Sequence, residues 1–142
     1  MHHHGYVWLG SGHDLNKDGP RRPAHPDFGS TTVVPLEVAH WLLKPPSFIR
    51  GTWTAPAAAV AWFERQVREH APSFTSGHER DRSAGVIGTA AETAAGGRDV
   101  VGGWYLAGQR FLSVCLVTCS PNRTRPDIPC PTGLRLGPAA AG

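Results

Sequence analysis

The chain has 142 residues and a net charge of +3, and 40% of its residues are hydrophobic. This length suits one domain with a modest core. The small, thinly spread charge makes nucleic acid an unexpected partner. No apolar run approaches the ~20 residues that a membrane-spanning helix needs.

Composition and the cysteine count bear on the source and cellular location of the protein. Arginine far outnumbers lysine, and alanine, glycine and proline are abundant, as expected from the coding bias of a GC-rich bacterial genome. The first ten residues lack the apolar stretch of a secretory signal. Three cysteines without such a signal favour reduced thiols. These observations predict a cytoplasmic bacterial protein.

The first third of the chain carries weak secondary-structure signals. A short aromatic strand is predicted over residues 5–10, followed by a long irregular loop over residues 11–30, which is rich in proline and glycine. Alternating apolar residues favour a strand from residue 31 to Val38, with a helical turn after it. Pro45 and Pro46 end this element.

The central third contains the clearest helix. Pro56 suits a first helical turn, and residues 56–70 follow without a breaker. Val60, Phe63 and Val67 form the apolar stripe of this helix. A second helix is predicted around residues 81–95, although its two internal glycines each cost ~1 kcal/mol relative to alanine.

The last third begins with a hairpin. Residues 100–106 and 111–118 are predicted to pair across a short turn that contains glycine. Both faces of the second strand are mostly apolar, which indicates a central strand covered on both sides. The expected fold is therefore a single α+β domain over residues 1–131. An antiparallel sheet around the hairpin carries the 56–70 helix, and residues 132–142 form a flexible tail.

A cysteine and an arginine after this strand match the spacing of a phosphatase loop. Cys119 and Arg125 are separated by five residues, as in enzymes that attack phosphate with a thiolate and hold it with a guanidinium. Pro121 removes one backbone amide from the loop, and no glycine relaxes it. Cysteine chemistry at Cys119 assisted by Arg125 is the enzyme alternative.

The cysteines also suggest a zinc site. Cys115 and Cys119 lie four residues apart on one strand, so their Cα atoms are ~13 Å apart and cannot share one ion. Cys119 and Cys130 can share a zinc ion, with histidine completing the ligand set. A disulfide between these two cysteines is a further alternative if the protein is exported.

A polar segment near the N-terminus matches the first half of a calcium loop. Asp14, Asn16 and Asp18 precede Gly19 with the alternating spacing that directs oxygens to a hard cation. The position expected to hold a bidentate glutamate is His25, so the second half departs from the pattern. A polar turn is the alternative interpretation.

His2, His3 and His4 resemble a short affinity tag. If they are natural, a free amine with histidine at the third position can bind Cu(II) or Ni(II) in a square plane. The other histidines are scattered, without the spacing of a helical metal site.

Five tryptophans in a chain of this size suggest a binding surface. Trp53 lies beside Arg50 just before the 56–70 helix, and these residue types dominate protein interfaces. Trp8 and Trp41 are further candidates for such a surface. The alternative for Trp53 is that it packs onto the helix.

These observations favour a small non-catalytic protein that binds a protein partner or itself, without a cofactor and without a membrane. The alternatives are the cysteine-dependent enzyme and a metal-binding module that holds calcium or zinc.

Overall fold

A four-stranded antiparallel sheet forms the centre of the fold in a computed structural model, which describes residues 1–133. The strands are β1 (His2–Ser11), β2 (Gly51–Trp53), β3 (Val100–Leu106) and β4 (Arg110–Cys119), in the spatial order β2-β1-β4-β3. β4 pairs with β1 on one side and with β3 on the other. The predicted α+β fold, the hairpin and the inner position of its second strand are therefore confirmed.

The helices are α1 (Gly12–Leu15), α2 (Pro56–His70) and α3 (Gly77–Ala95). Pro56 occupies the first turn of α2, as predicted, and the side chain of Ser76 caps α3 by accepting a hydrogen bond from the Glu79 amide. Short 3-10 helices cover Gly19–Arg21, Val38–Leu43, Pro46–Phe48 and Ala71–Ser73. None of the helices within residues 1–133 is both long enough and apolar enough to cross a membrane.

Both faces of the sheet are buried, but different kinds of structure cover them. One face packs against α2 and α3, and the core on this side includes Phe63 and Val67 of α2. The other face packs against irregular chain, with Trp41 and Ile128 among its buried residues. β4 is buried on both sides, as its two apolar faces predicted.

The predicted strand over residues 31–38 is wrong. The backbone there does not join the sheet, and the following residues form the 3-10 helix Val38–Leu43. Arg21 donates to the carbonyls of Leu15 and Val34 at 2.8 Å each, and Lys44 Nζ donates to those of Phe28 and Thr31. These two cations satisfy carbonyl groups across the irregular layer, so it needs no strand ladder to pair them.

Some element boundaries also differ from the prediction. β1 starts at His2, and α3 begins at Gly77. The 11–30 segment is mostly turns but includes α1 and one 3-10 helix. The expected flexible tail over residues 132–142 lies almost entirely outside the described residues.

Candidate metal centre

The pairing of β1 with β4 brings two histidines next to a cysteine. His2 and His4 point to the same face of β1, because side chains alternate along a strand. In the antiparallel register, His2 lies directly opposite Cys119 and His4 lies opposite Val117. Neighbouring positions on one face have Cβ atoms ~5 Å apart, so the three side chains meet at one end of the sheet.

Cys130 reaches the same place from the irregular chain that follows β4. The carboxylate of Asp99 accepts hydrogen bonds from the Thr118 amide at 2.7 Å and from the Thr118 hydroxyl at 2.8 Å. Asn122, also fully buried, donates to the Thr118 carbonyl at 2.8 Å. These bonds fix the exit from β4, and buried Ile128 anchors the returning segment two residues before Cys130.

The ligand atoms of His2, His4, Cys119 and Cys130 all lie within 4.8 Å of one another. The Nε2 atoms of His2 and His4 are 3.1 Å apart. The Cys130 sulfur lies 3.7 Å from His2 Nε2 and 3.5 Å from His4 Nε2. A tetrahedral zinc ion would separate two nitrogen ligands by about 3.3 Å and a nitrogen from a sulfur by about 3.6 Å. The observed separations therefore match the edges of a zinc tetrahedron.

The two histidines meet the requirements for metal binding differently. His4 Nδ1 lies 2.7 Å from Thr52 Oγ1, and when Nδ1 carries the proton it donates to that hydroxyl while Nε2 presents its lone pair to the cluster. Burial, with smaller contributions from His2 and His3, lowers the pKa of His4 to about 4, so its imidazole is neutral at pH 7. Burial likewise lowers the pKa of His2, whose Nδ1 is buried without a hydrogen-bond partner in residues 1–133.

The environment of Cys119 keeps the metal-free thiol protonated. Burial is the main cause that raises the pKa of Cys119 to about 12, and the neighbouring Cys130 side chain is the next largest cause. Cys119 is completely buried, whereas Cys130 is half-buried. A bound cation would reverse this preference, because metal ions deprotonate the thiols that coordinate them.

The predicted Cys119–Cys130 zinc pair is thus brought together, and the two histidines that complete it were missed. Cys115 lies outside the cluster, as the strand geometry required. The alternative N-terminal Cu(II) or Ni(II) site stays a prediction that the geometry does not favour, because His3 points to the other face, with Nε2 3.1 Å from the Arg98 carbonyl oxygen. The sequence signal for the two missed histidines was their H-x-H spacing, which places His2 and His4 on one face of a strand.

In the phosphatase-like loop after β4, backbone amides donate hydrogen bonds to side chains of the protein itself. The amides of Thr124 and Arg125 donate to the Asn122 side-chain oxygen, and the amide of Arg123 donates to the Thr118 hydroxyl. The Arg125 guanidinium pairs with Glu37 at 3.2 Å and with Asp127 at 3.4 Å. The amides that would hold a phosphate are therefore occupied within the protein, which does not favour cysteine catalysis at Cys119.

The candidate calcium residues occupy consecutive turns. Asp14 lies in α1 and forms an ion pair with Lys17 at 3.9 Å. Asn16 follows α1 as its C-terminal cap, and Asp18 precedes the 3-10 helix Gly19–Arg21. Among residues 1–133, four ligand side chains of the His, Cys, Asp or Glu type converge only in the His2–His4–Cys119–Cys130 cluster. The helix and turns at Asp14, Asn16 and Asp18 match the polar-turn alternative, and the calcium site stays a prediction.

The tryptophans contribute mainly to packing. Trp8 and Trp41 are buried, and Trp41 stacks on Tyr6, so these two side chains do not form the expected exposed surface. Trp53 is half-buried, and its ring lies 5.1 Å from that of Trp62 in α2, which is the packing alternative. Arg50 beside it is exposed.

No protein-family model, curated protein or solved structure matches this chain. The chemistry of the site therefore has to be argued from its own geometry.

Proposed function

We propose that this protein binds a single zinc ion through His2, His4, Cys119 and Cys130. The observation that carries the proposal is the convergence of four ligand atoms within 4.8 Å from separate parts of the chain. Two are imidazole nitrogens and two are thiol sulfurs, a ligand set that is common in structural zinc sites. Soft thiolates and imidazoles favour zinc over calcium or magnesium, which prefer oxygen.

The proposed role of the ion is structural. Four protein ligands complete a tetrahedron and leave no open position for substrate or water, as in structural rather than catalytic zinc sites. The ion would connect the start of β1, the end of β4 and the segment that carries Cys130. Its binding free energy would then stabilise the folded state, because the unfolded chain does not hold the four ligands together.

The burial of the ligands supports the same proposal. His2 is 1% exposed, and His4 and Cys119 are fully buried, so their polar atoms have lost contact with water. Burying polar atoms costs free energy unless they find partners, and here the partners of the two imidazole Nε2 atoms are each other and the Cys130 sulfur, at 3.1–3.7 Å. A cation at the centre would bind all four groups at once after the thiols release their protons.

The test is a zinc titration of the metal-depleted, reduced full-length chain, read by isothermal calorimetry and elemental analysis. We expect one tightly bound zinc per chain. Cys130→Ser should weaken binding by at least tenfold, whereas Cys115→Ala removes a thiol outside the cluster and should leave the affinity unchanged. The proposal fails if the wild-type chain binds no zinc, or if Cys130→Ser binds zinc as well as Cys115→Ala does.

A further inference from the structure

The two cysteines of the cluster differ in their access to solvent. Cys119 is fully buried at the end of β4. Cys130 is half-buried, in irregular chain between Pro129 and Pro131, and its sulfur lies 3.3 Å from the Thr132 hydroxyl. A small oxidant arriving from solvent therefore meets the sulfur of Cys130 before that of Cys119.

We propose that Cys130 is an oxidation site and that Cys119 resolves it, so that a peroxide converts the pair to a disulfide and expels the metal. The expulsion of the ion rests on the proposed zinc function. Formation of the disulfide depends only on the position of the two sulfurs.

The reaction proceeds in two balanced steps. Hydrogen peroxide transfers one oxygen to the Cys130 sulfur as its O–O bond breaks, which leaves a sulfenic acid and one water. The Cys119 sulfur then attacks the Cys130 sulfur, the S–O bond breaks, and in the metal-free chain the departing hydroxide takes the Cys119 proton to leave as a second water. In the zinc-loaded chain both sulfurs start as thiolates, so the two protons that complete the waters come from solvent. The two thiols together lose two electrons and two protons, and the peroxide is reduced to water.

The geometry permits a disulfide between Cys119 and Cys130 and excludes Cys115 as a partner. The sulfurs of Cys119 and Cys130 lie within 4.8 Å of each other, and a disulfide requires ~2.05 Å. Cys119 is held in the inner strand, so the irregular segment carrying Cys130 would supply the movement. Cys115 faces the same side of β4 but lies four residues away, ~13 Å along the strand from Cys119.

Oxidation removes half of the ligand set. A disulfide sulfur no longer carries the thiolate charge that binds zinc, so only His2 and His4 would remain. Two imidazoles cannot complete a tetrahedral site. Release of the ion should therefore follow formation of the disulfide, one ion for each disulfide.

The experiment treats the zinc-loaded full-length chain with hydrogen peroxide in the presence of a chromophoric zinc indicator. Samples are analysed by intact mass and by tryptic mapping without reduction. We expect a mass loss of two hydrogen atoms and a disulfide joining peptide 111–123 to peptide 124–135. We also expect one zinc released per disulfide, with zinc rebinding after reduction by a thiol. Cys115→Ala should behave identically, which would assign the disulfide to Cys119.

Two results would overturn the inference: no Cys119–Cys130 disulfide in the wild-type chain, or zinc release that is complete before the disulfide forms. The metal-free chain provides a second measurement. If it forms the disulfide although the wild-type protein never binds zinc, the proposed zinc function fails and the thiol pair stands. If zinc binds but peroxide yields only higher sulfur oxides, the zinc function stands and the thiol pair fails.

Discussion

His2 and Cys119 are directly opposite each other in the β1–β4 pair, although 117 positions separate them in the chain. This register places an imidazole beside a thiol on the face of the sheet that packs against irregular chain. His4 joins them because it lies two residues along the same strand, and Cys130 approaches from the segment after β4. The candidate site is thus a product of strand pairing and of one returning loop.

The hydrogen bond between His4 and Thr52 should contribute to zinc affinity. Thr52→Val keeps the shape of the side chain but removes the hydroxyl that lies 2.7 Å from His4 Nδ1. Loss of such a bond typically weakens metal binding by ~10–100-fold. Competition with a zinc chelator would measure the change. Thr54→Val, at an exposed position two residues away, is the matched control and should bind like the wild type.

Removal of zinc should destabilise the fold. A ligand present at about 1,000 times its Kd stabilises the native state by about 4 kcal/mol. We therefore expect a strong chelator to lower the Tm and the free energy of unfolding of the wild-type chain. Cys130→Ser should respond much less. An equal response of the two proteins to the chelator would contradict the structural role of the ion.

The metal-free protein should lose stability as the pH falls from 6.5 towards 4. Burial holds the pKa of His4 at about 4, compared with 6.5 in the unfolded chain. In this window the unfolded state takes up a proton that the folded state does not, so acidification favours unfolding. Urea denaturation at a series of pH values would show the slope. His4→Gln should reduce it, and identical slopes would show that His4 does not contribute.

Gly5 should be intolerant of a side chain because two tryptophans lie against it. A Cβ atom at this position would come 2.7 Å from the Trp62 ring and 2.9 Å from the Trp53 ring. We expect Gly5→Ala to cost ~1–3 kcal/mol of folding stability through overpacking. Gly88→Ala is the control, since nothing lies within 4 Å of its added Cβ, and it should gain up to ~1 kcal/mol in α3. Equal effects of the two changes in denaturant melts would refute this packing.

Local signals predicted much of the fold. Pro56 and the apolar stripe of α2 lie within one helix, and the β3–β4 hairpin is closed by a short turn, so neighbouring residues sufficed to find them. The strand predicted over residues 31–38 was wrong because alternating apolar residues do not show whether a backbone segment has a strand partner. There, Arg21 and Lys44 supply the donors instead.

The candidate site was only half predictable. The cysteine pair followed from elimination, because strand spacing kept Cys115 away from Cys119. The histidines depended on the β1–β4 register and on the start of β1 at His2, which no local pattern specifies. The burial of Trp41 likewise depends on the irregular layer folding over the sheet.

X-ray absorption spectroscopy at the zinc edge tests the central claim most directly, because it counts the atoms bound to the ion. For the zinc-loaded full-length chain, the account predicts two sulfur ligands at ~2.3 Å and two nitrogen ligands at ~2.0–2.1 Å. Cys130→Ser should lose one sulfur, and Cys115→Ala should keep both. A shell made only of nitrogen and oxygen, or one with a single sulfur in the wild-type chain, would contradict the four-ligand site.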